Sequence, residues 1–160
     1  LDQSSWDKQI QFFEDQVKLA KFHNLPLVIH CRKAHDQLHS ILKRLNFNNG
    51  GFVHGFSGSY QQATRYLDQG LLLGMGGALT HERAKAMHRL VSQLPNDGYV
   101  LETDSPDMRP SFETSAINTP LNIPRIAEHI SKLRKQSIET IFENTTRNYY
   151  SVITSLSDEI

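Results

Sequence analysis

The sequence holds one cysteine in 160 residues, Cys31, so an internal disulfide and the cysteine-rich zinc modules are excluded. Such sparing use of sulfur fits a reducing compartment, and a cytoplasmic location is the expectation. An unbroken apolar stretch of about 18 residues is missing, as is a cationic segment leading into an apolar one at the start; neither a helical membrane span nor a signal peptide is expected. An excess of charge is missing too. Seventeen Lys and Arg balance seventeen Asp and Glu, without a basic block, so strong sequence-independent adhesion to DNA or anionic membranes is not expected, and any nucleic-acid contact would be local to a site. Low-complexity segments and repeats of about 20 to 50 residues are also lacking. What remains is a chain with 38% hydrophobic residues, enough for the core of one ordinary domain, 1–160. Its first residue is Leu rather than Met, which leads us to expect part of a longer gene product.

What the sequence does have is a device used three times. Leu25 to Arg32 reads Leu-Pro-Leu-Val-Ile-His-Cys-Arg, Gly51 to Gly58 reads Gly-Phe-Val-His-Gly-Phe-Ser-Gly, and Tyr99 to Pro106 reads Tyr-Val-Leu-Glu-Thr-Asp-Ser-Pro. Three apolar runs thus end in His30, His54 and Asp104. A parallel sheet collects ligand-binding side chains at the carboxyl ends of its strands and would leave this trace.

Helical stripes separate the runs. Ile10, Phe13, Val17 and Ala20 predict a helix at about 5–23, capped by Ser4 or Ser5 and ended near Asn24. Ala34, Leu38, Ile41, Leu42 and Leu45 predict a second, and Ser59 caps a short third one that stops at Gly70. Leu71 to Gly77 is a fourth apolar run. Thr80 is the expected cap of a helix carrying Ala84, Met87, Val91 and Leu94, and Tyr99 to Thr103 a strand. Pro106, Pro110 and Pro120 punctuate a long functional loop at 105–123 that Pro124 closes, and helices follow at about 124–135 and, from the Ser137 cap, 138–150. Four strands separated by helical crossovers argue for a parallel α/β sheet.

Alternation within a strand puts Val28, His30 and Arg32 on one face and Cys31 on the other, aligns Phe52 with His54 and Phe56, and, where the strand stays extended, aligns Val100 with Glu102 and Asp104. Imidazole and carboxylate together suit a divalent ion, and a carboxylate beside it can take the proton of a water. A histidine at a strand end can equally be a hydrogen-bonded structural residue. Arg32 and Arg109 can hold a phosphate or pair with a carboxylate such as Glu102. His35 and His39 have the spacing of a helical metal pair but lie on the flank of an apolar stripe, with no third ligand nearby. Gly74, Gly76 and Gly77 leave space that could admit a substrate, or serve tight packing.

The three motifs, in this order, resemble those of the TatD family of metal-dependent hydrolases over about residues 1–150, with 151–160 as a tail. Asn122-Ile-Pro and Glu143-Asn-Thr-Thr are weaker matches. The resemblance implies the C-terminal portion of a TIM-type (β/α)8 barrel and a centre of two divalent ions, with Mg, Mn, Zn and Ni all admissible. His30 and His54 would bind one ion; Asp104 would bind the other and accept a proton; Glu102 would be a neighbour. The family pattern also has a His-x-His and a bridging glutamate in a Gly-Glu-x-Gly-Leu-Asp segment, of which Leu1-Asp2 looks like the tail. The expectation is therefore a barrel whose N-terminal segment lies outside this chain, acting in the intact protein as a deoxyribonuclease with Arg32 and Arg109 on the phosphate. The 160 residues alone should have little activity. The rival expectations are hydrolysis of a small amide, lactone or phosphoester, and a non-catalytic half-barrel that binds a partner through its sheet edge.

Overall fold

The computed structural model describes residues 3–153. Helix α1, Gln3–Phe22, leads into strand β1, Leu27–His30. Helix α2, His35–Arg44, strand β2, Gly51–His54, helix α3, Tyr60–Leu67, and strand β3, Leu71–Met75, then alternate. A 3-10 turn, Gly77–Thr80, precedes α4, Lys85–Gln93, and β4, Tyr99–Leu101; a long loop reaches a second 3-10 turn, Pro120–Asn122, before α5, Ile123–Arg134, and α6, Ile138–Ile153. The strands form one parallel sheet in the order β1-β2-β3-β4. Register sets Leu27 beside Gly51, His30 beside His54, and Gly74 beside Val100.

Strand alternation sorts the two faces. Ile29, Val53, Leu71 and Leu73 point into the helical layer, where they meet Leu42 of α2, Tyr66 of α3, Val91 of α4 and Ile126 of α5. Each such side chain, fully removed from water, contributes about 1.5–3 kcal/mol before entropy is counted. Cys31 belongs to this layer, as alternation requires. On the other face Phe52 and Val100 form a smaller cluster with Val152, and the Tyr149 ring stacks on Phe52, so the end of α6 folds across part of the sheet. Val28, on that face of edge strand β1, is 74% exposed.

Several local expectations need correction. Ser4 and Ser5 lie inside α1, which has already begun at Gln3, so neither is its cap. Leu1 and Asp2 lie outside the described residues. Thr80 does not cap α4: that helix starts at Lys85 behind Ala84 without a side-chain cap bond. The Thr80 hydroxyl donates to Gly77 O and accepts from Ser111 N, tying the 3-10 turn to the long loop. Strand β4 stops at Leu101 rather than Thr103, because the chain turns away to reach a left-handed Asp104 at φ +58°. Residues 151–153 belong to α6 rather than to a tail. Ser59, by contrast, caps α3 through a complete capping box with Gln62.

Candidate metal centre

The carboxyl edge of the sheet is built outward from β1, β2 and the turn after β4. His30 and His54 are register partners at the ends of adjacent strands, with ring centroids 5.7 Å apart. His54 lies between two carboxylates. Its Nδ1 is 2.9 Å from Glu102 Oε2 and its Nε2 is 3.1 Å from Asp104 Oδ1. An ionised carboxylate only accepts hydrogen bonds, so each ring nitrogen bonds its carboxylate when it carries a proton. Burial pulls the His54 pKa down, but bonding and charge from Glu102, then Asp104, outweigh it and the net shift is upward.

Glu102 is held as firmly as it holds. Its other oxygen accepts from Gly55 N at 2.7 Å, and the space for its carboxylate is cut from β3. A Cβ on Gly74 would fall 2.1 Å from Glu102 Oε2, and one on Gly76 3.2 Å from Cγ. A Cβ on Gly77 would meet the backbone of the long loop, 2.3 Å from Met108 O. The three glycines therefore make room for Glu102 and for loop packing, not for a substrate. Glu102 is the residue that strand reasoning underrated; its signal is the coincidence of an acid two residues before Asp104 with a Gly-x-Gly on the neighbouring strand.

Asp104 depends on a different support. Asn118, buried within the loop, donates through Nδ2 to Thr103 O and Asp107 O, each at 2.7 Å, while its Oδ1 accepts from Thr119 N and from Asn122 Nδ2. No periodic pattern announces such a residue. Arg109 is committed to the same loop: Nη1 donates to Ser115 O at 2.7 Å and its carbonyl lies 3.0 Å from His81 Nε2. Arg32 is exposed and lines a cavity of about 470 Å³ with His30 and Trp6. His35 and His39 are not a metal pair. His35 Nδ1 is bonded to Tyr66 OH and His39 Nδ1 to Gln69 Oε1, on different neighbours.

The donor chemistry of this edge suits a divalent ion of borderline hardness, and a carboxylate on Nδ1 leaves Nε2 as the ligating nitrogen once it gives up its proton. Among the described residues, however, no group of three or more His, Cys, Asp or Glu side chains is placed to hold one ion. The residues fit the group as part of a ligand set.

With this geometry in hand, comparison with known families finds that residues 1–154 match the family described as TatD related DNase. The chain belongs to that family. A Haemophilus influenzae protein named an uncharacterized metal-dependent hydrolase is 46% identical over 143 residues, 89% of this chain and 55% of that protein. The crystal structure of YjjV, a TatD homologue from Escherichia coli, superposes with a TM-score of 0.88 at 35% identity, over 95% of this chain and 59% of the other. A Pantoea ananatis protein named 3'-5' ssDNA/RNA exonuclease TatD is 31% identical, over 91% of this chain and 58% of that protein. The chain thus spans between 55% and 59% of the length of these relatives.

Proposed function

We propose that this chain supplies one side of a TatD-type metal-dependent phosphodiesterase site for single-stranded nucleic acid. The observation that supports it best is the ordered relay Gly55–Glu102–His54–Asp104, a fixed imidazole with an adjacent carboxylate at the strand ends. The name of the Pantoea relative supplies the substrate class. His30 and His54 would hold one divalent ion and Asp104 a second, with Mg, Mn, Zn and Ni all compatible. Such ions supply Lewis acidity toward a phosphoryl oxygen and a water of lowered pKa.

The chain's own groups do the rest. Glu102 fixes the His54 ring through Nδ1. Asp104 Oδ1, now against His54 Nε2, would receive the proton of the attacking water. Arg32 on the same edge would take a phosphate oxygen through its planar fork; Arg109 would keep the loop that carries Asp104 in place. The remaining donors of the family pattern, a His-x-His and a bridging glutamate, would come from outside these 160 residues and complete the (β/α)8 barrel. Chain 1–160 would be one partial domain in a cytoplasmic protein, with weak metal binding and little turnover on its own.

The zero net charge keeps a second reading in play, hydrolysis of a small amide, lactone or phosphoester. The deciding experiment uses the intact protein with each of the four metals, against a single-stranded oligonucleotide and a panel of small esters and amides. Metal-dependent release of nucleotides that Asp104→Asn reduces by about 100-fold or more supports the reading; turnover of the small substrates alone overturns it.

A further inference from the structure

A second cavity, of about 550 Å³, opens beside this edge. Its walls are Trp6 of α1, residues 33–37 at the start of α2, and residues 57–59 with Gln62 at the start of α3. These last two segments begin three residues beyond His30 and three beyond His54, so the cavity is chained to the candidate metal centre on two strands. Half-buried Trp6, together with Ala34 and Gln37, also lines the cavity that holds His30 and Arg32, so the two cavities share a wall.

We propose that this second cavity is a subsite for one nucleotide unit of a single-stranded nucleic acid, with the base against Trp6 and the phosphate at Lys33. The inference rests on the phosphodiesterase reading and adds the place where the strand next to the scissile phosphate is held. The volume lies within the range of small-ligand sites, and a bare phosphate would leave most of it empty and make no use of the ring. Aromatic faces bind bases without regard to sequence, which suits an enzyme on single strands.

The polar groups are placed for such a unit. Among the described residues, the side chains of Lys33, Gln37 and Ser57 have no hydrogen-bond or ion partner, whereas Asp36, the one acid on the wall, is engaged by Arg65 at 2.9 Å. The unbalanced charge of the cavity is therefore the Lys33 ammonium. Ala34 provides no side-chain cap to α2, so the first-turn N–H groups of residues 35–37 add to the field of Lys33. Lys33, Gln37 and Ser57 match the phosphate, the base edge and the sugar of a nucleotide in donor and acceptor type.

Trp6 is the single tryptophan of this chain, and its signal in the intact protein is isolated as the difference from the Trp6→Phe variant. The intact protein is titrated with deoxyadenosine monophosphate in chelator, where no hydrolysis occurs. The expected result is saturable quenching, weakened about tenfold by Lys33→Glu. Binding of a labelled oligonucleotide, followed by anisotropy, should survive Trp6→Phe and fall by about fivefold or more in Trp6→Ala. Lys33→Gln should lower the slope of log affinity against log salt by about 0.7, the contribution of one contact to a single strand. Absence of saturable quenching, or affinities unchanged by Lys33→Glu, overturns the subsite. If nucleotide binds as described while no metal releases nucleotides from an oligonucleotide, the subsite stands and the phosphodiesterase reading fails. If hydrolysis proceeds with KM unchanged in Lys33→Glu, the reverse holds.

Discussion

Replacing Gly74 by alanine tests the construction of the site without replacing any charged residue. The added Cβ would lie 2.1 Å from Glu102 Oε2 and 2.6 Å from Cδ, and no φ in the left-handed region complicates the change. Carbon and oxygen in van der Waals contact stay more than about 3 Å apart, so the carboxylate must move by about 1 Å. A shift of that size breaks the bonds at 2.9 Å to His54 Nδ1 and 2.7 Å to Gly55 N. Bonds to a charged group contribute about 1.5–3 kcal/mol each, and part is recovered as the carboxylate finds water, so we expect a loss of about 2–4 kcal/mol. Metal affinity in the intact protein should fall about 10- to 100-fold, since His54 loses the partner that orients it. The assay is a double-mutant cycle with Glu102→Ala, read by urea denaturation and by metal titration. All three closest atoms to the added Cβ belong to Glu102, so Gly74→Ala should cost less than about 0.5 kcal/mol when that side chain is gone. An equal cost in both backgrounds would refute the argument and make Gly74 a matter of strand packing alone.

Other expectations are narrower. Asn118→Ala removes donors to Thr103 O and Asp107 O and an acceptor for Thr119 N, so it should destabilise by about 2–4 kcal/mol and open residues 105–119 to limited proteolysis. Arg109→Ala should sensitise the same loop while leaving nucleotide affinity nearly unchanged; Arg32→Lys should reduce phosphodiester turnover more than metal binding, and equal turnover would remove Arg32 from the mechanism. His35, buried against Tyr66 and Phe56, has its pKa lowered by burial, with Asp36 opposing. Its unfolded form binds the proton more readily, so its contribution to stability is full above about pH 6.5 and is lost as pH falls below that value toward the lowered folded pKa. Between about pH 5 and 6.5 this contribution rises with pH, while the raised pKa of His54 acts in the opposite sense as pH climbs through it, so the test is the difference: His35→Gln should lower the slope of stability against pH, and an unchanged slope counts against the reasoning.

The parallel sheet and the alternation of helices were legible because they repeat. Val17, Leu42 and Val91 are core residues whose spacing announces them, and the capping chemistry of Ser59 is local to four residues. The strand-end histidines were legible for the same reason, since period-two alternation puts His30 opposite Cys31 and the structure separates them accordingly. What the sequence concealed was long-range. Gly74 and Gly76 looked like open space because the side chain that fills it, Glu102, comes from the neighbouring strand. Thr80 looked like a cap because Ser111, its actual partner, lies 31 residues away. Arg109 looked free for a phosphate because its acceptor, Ser115 O, is backbone and carries no residue signature.

These long-range contacts divide the candidate centre into two separately supported halves. The histidine half is anchored from the sheet: Gly74 and Gly76 seat Glu102, and Glu102 holds His54. The aspartate half is anchored from the loop, where Asn118 grips Thr103 O immediately before Asp104 and the Thr80–Ser111 bond ties the loop to β3's end. They meet through the short backbone link Glu102–Thr103–Asp104 and at the contact of 3.1 Å between His54 Nε2 and Asp104 Oδ1, which involves the nitrogen needed as a ligand. Loosening the sheet side should therefore change how the imidazole is oriented while leaving Asp104 in place; loosening the loop side should displace Asp104 while the His54–Glu102 bond persists. Nitrogen chemical shifts of the His54 ring distinguish the two, because Nδ1 responds to Gly74→Ala and Nε2 to Asn118→Ala. A single substitution that moved both resonances equally would mean that the halves share one support.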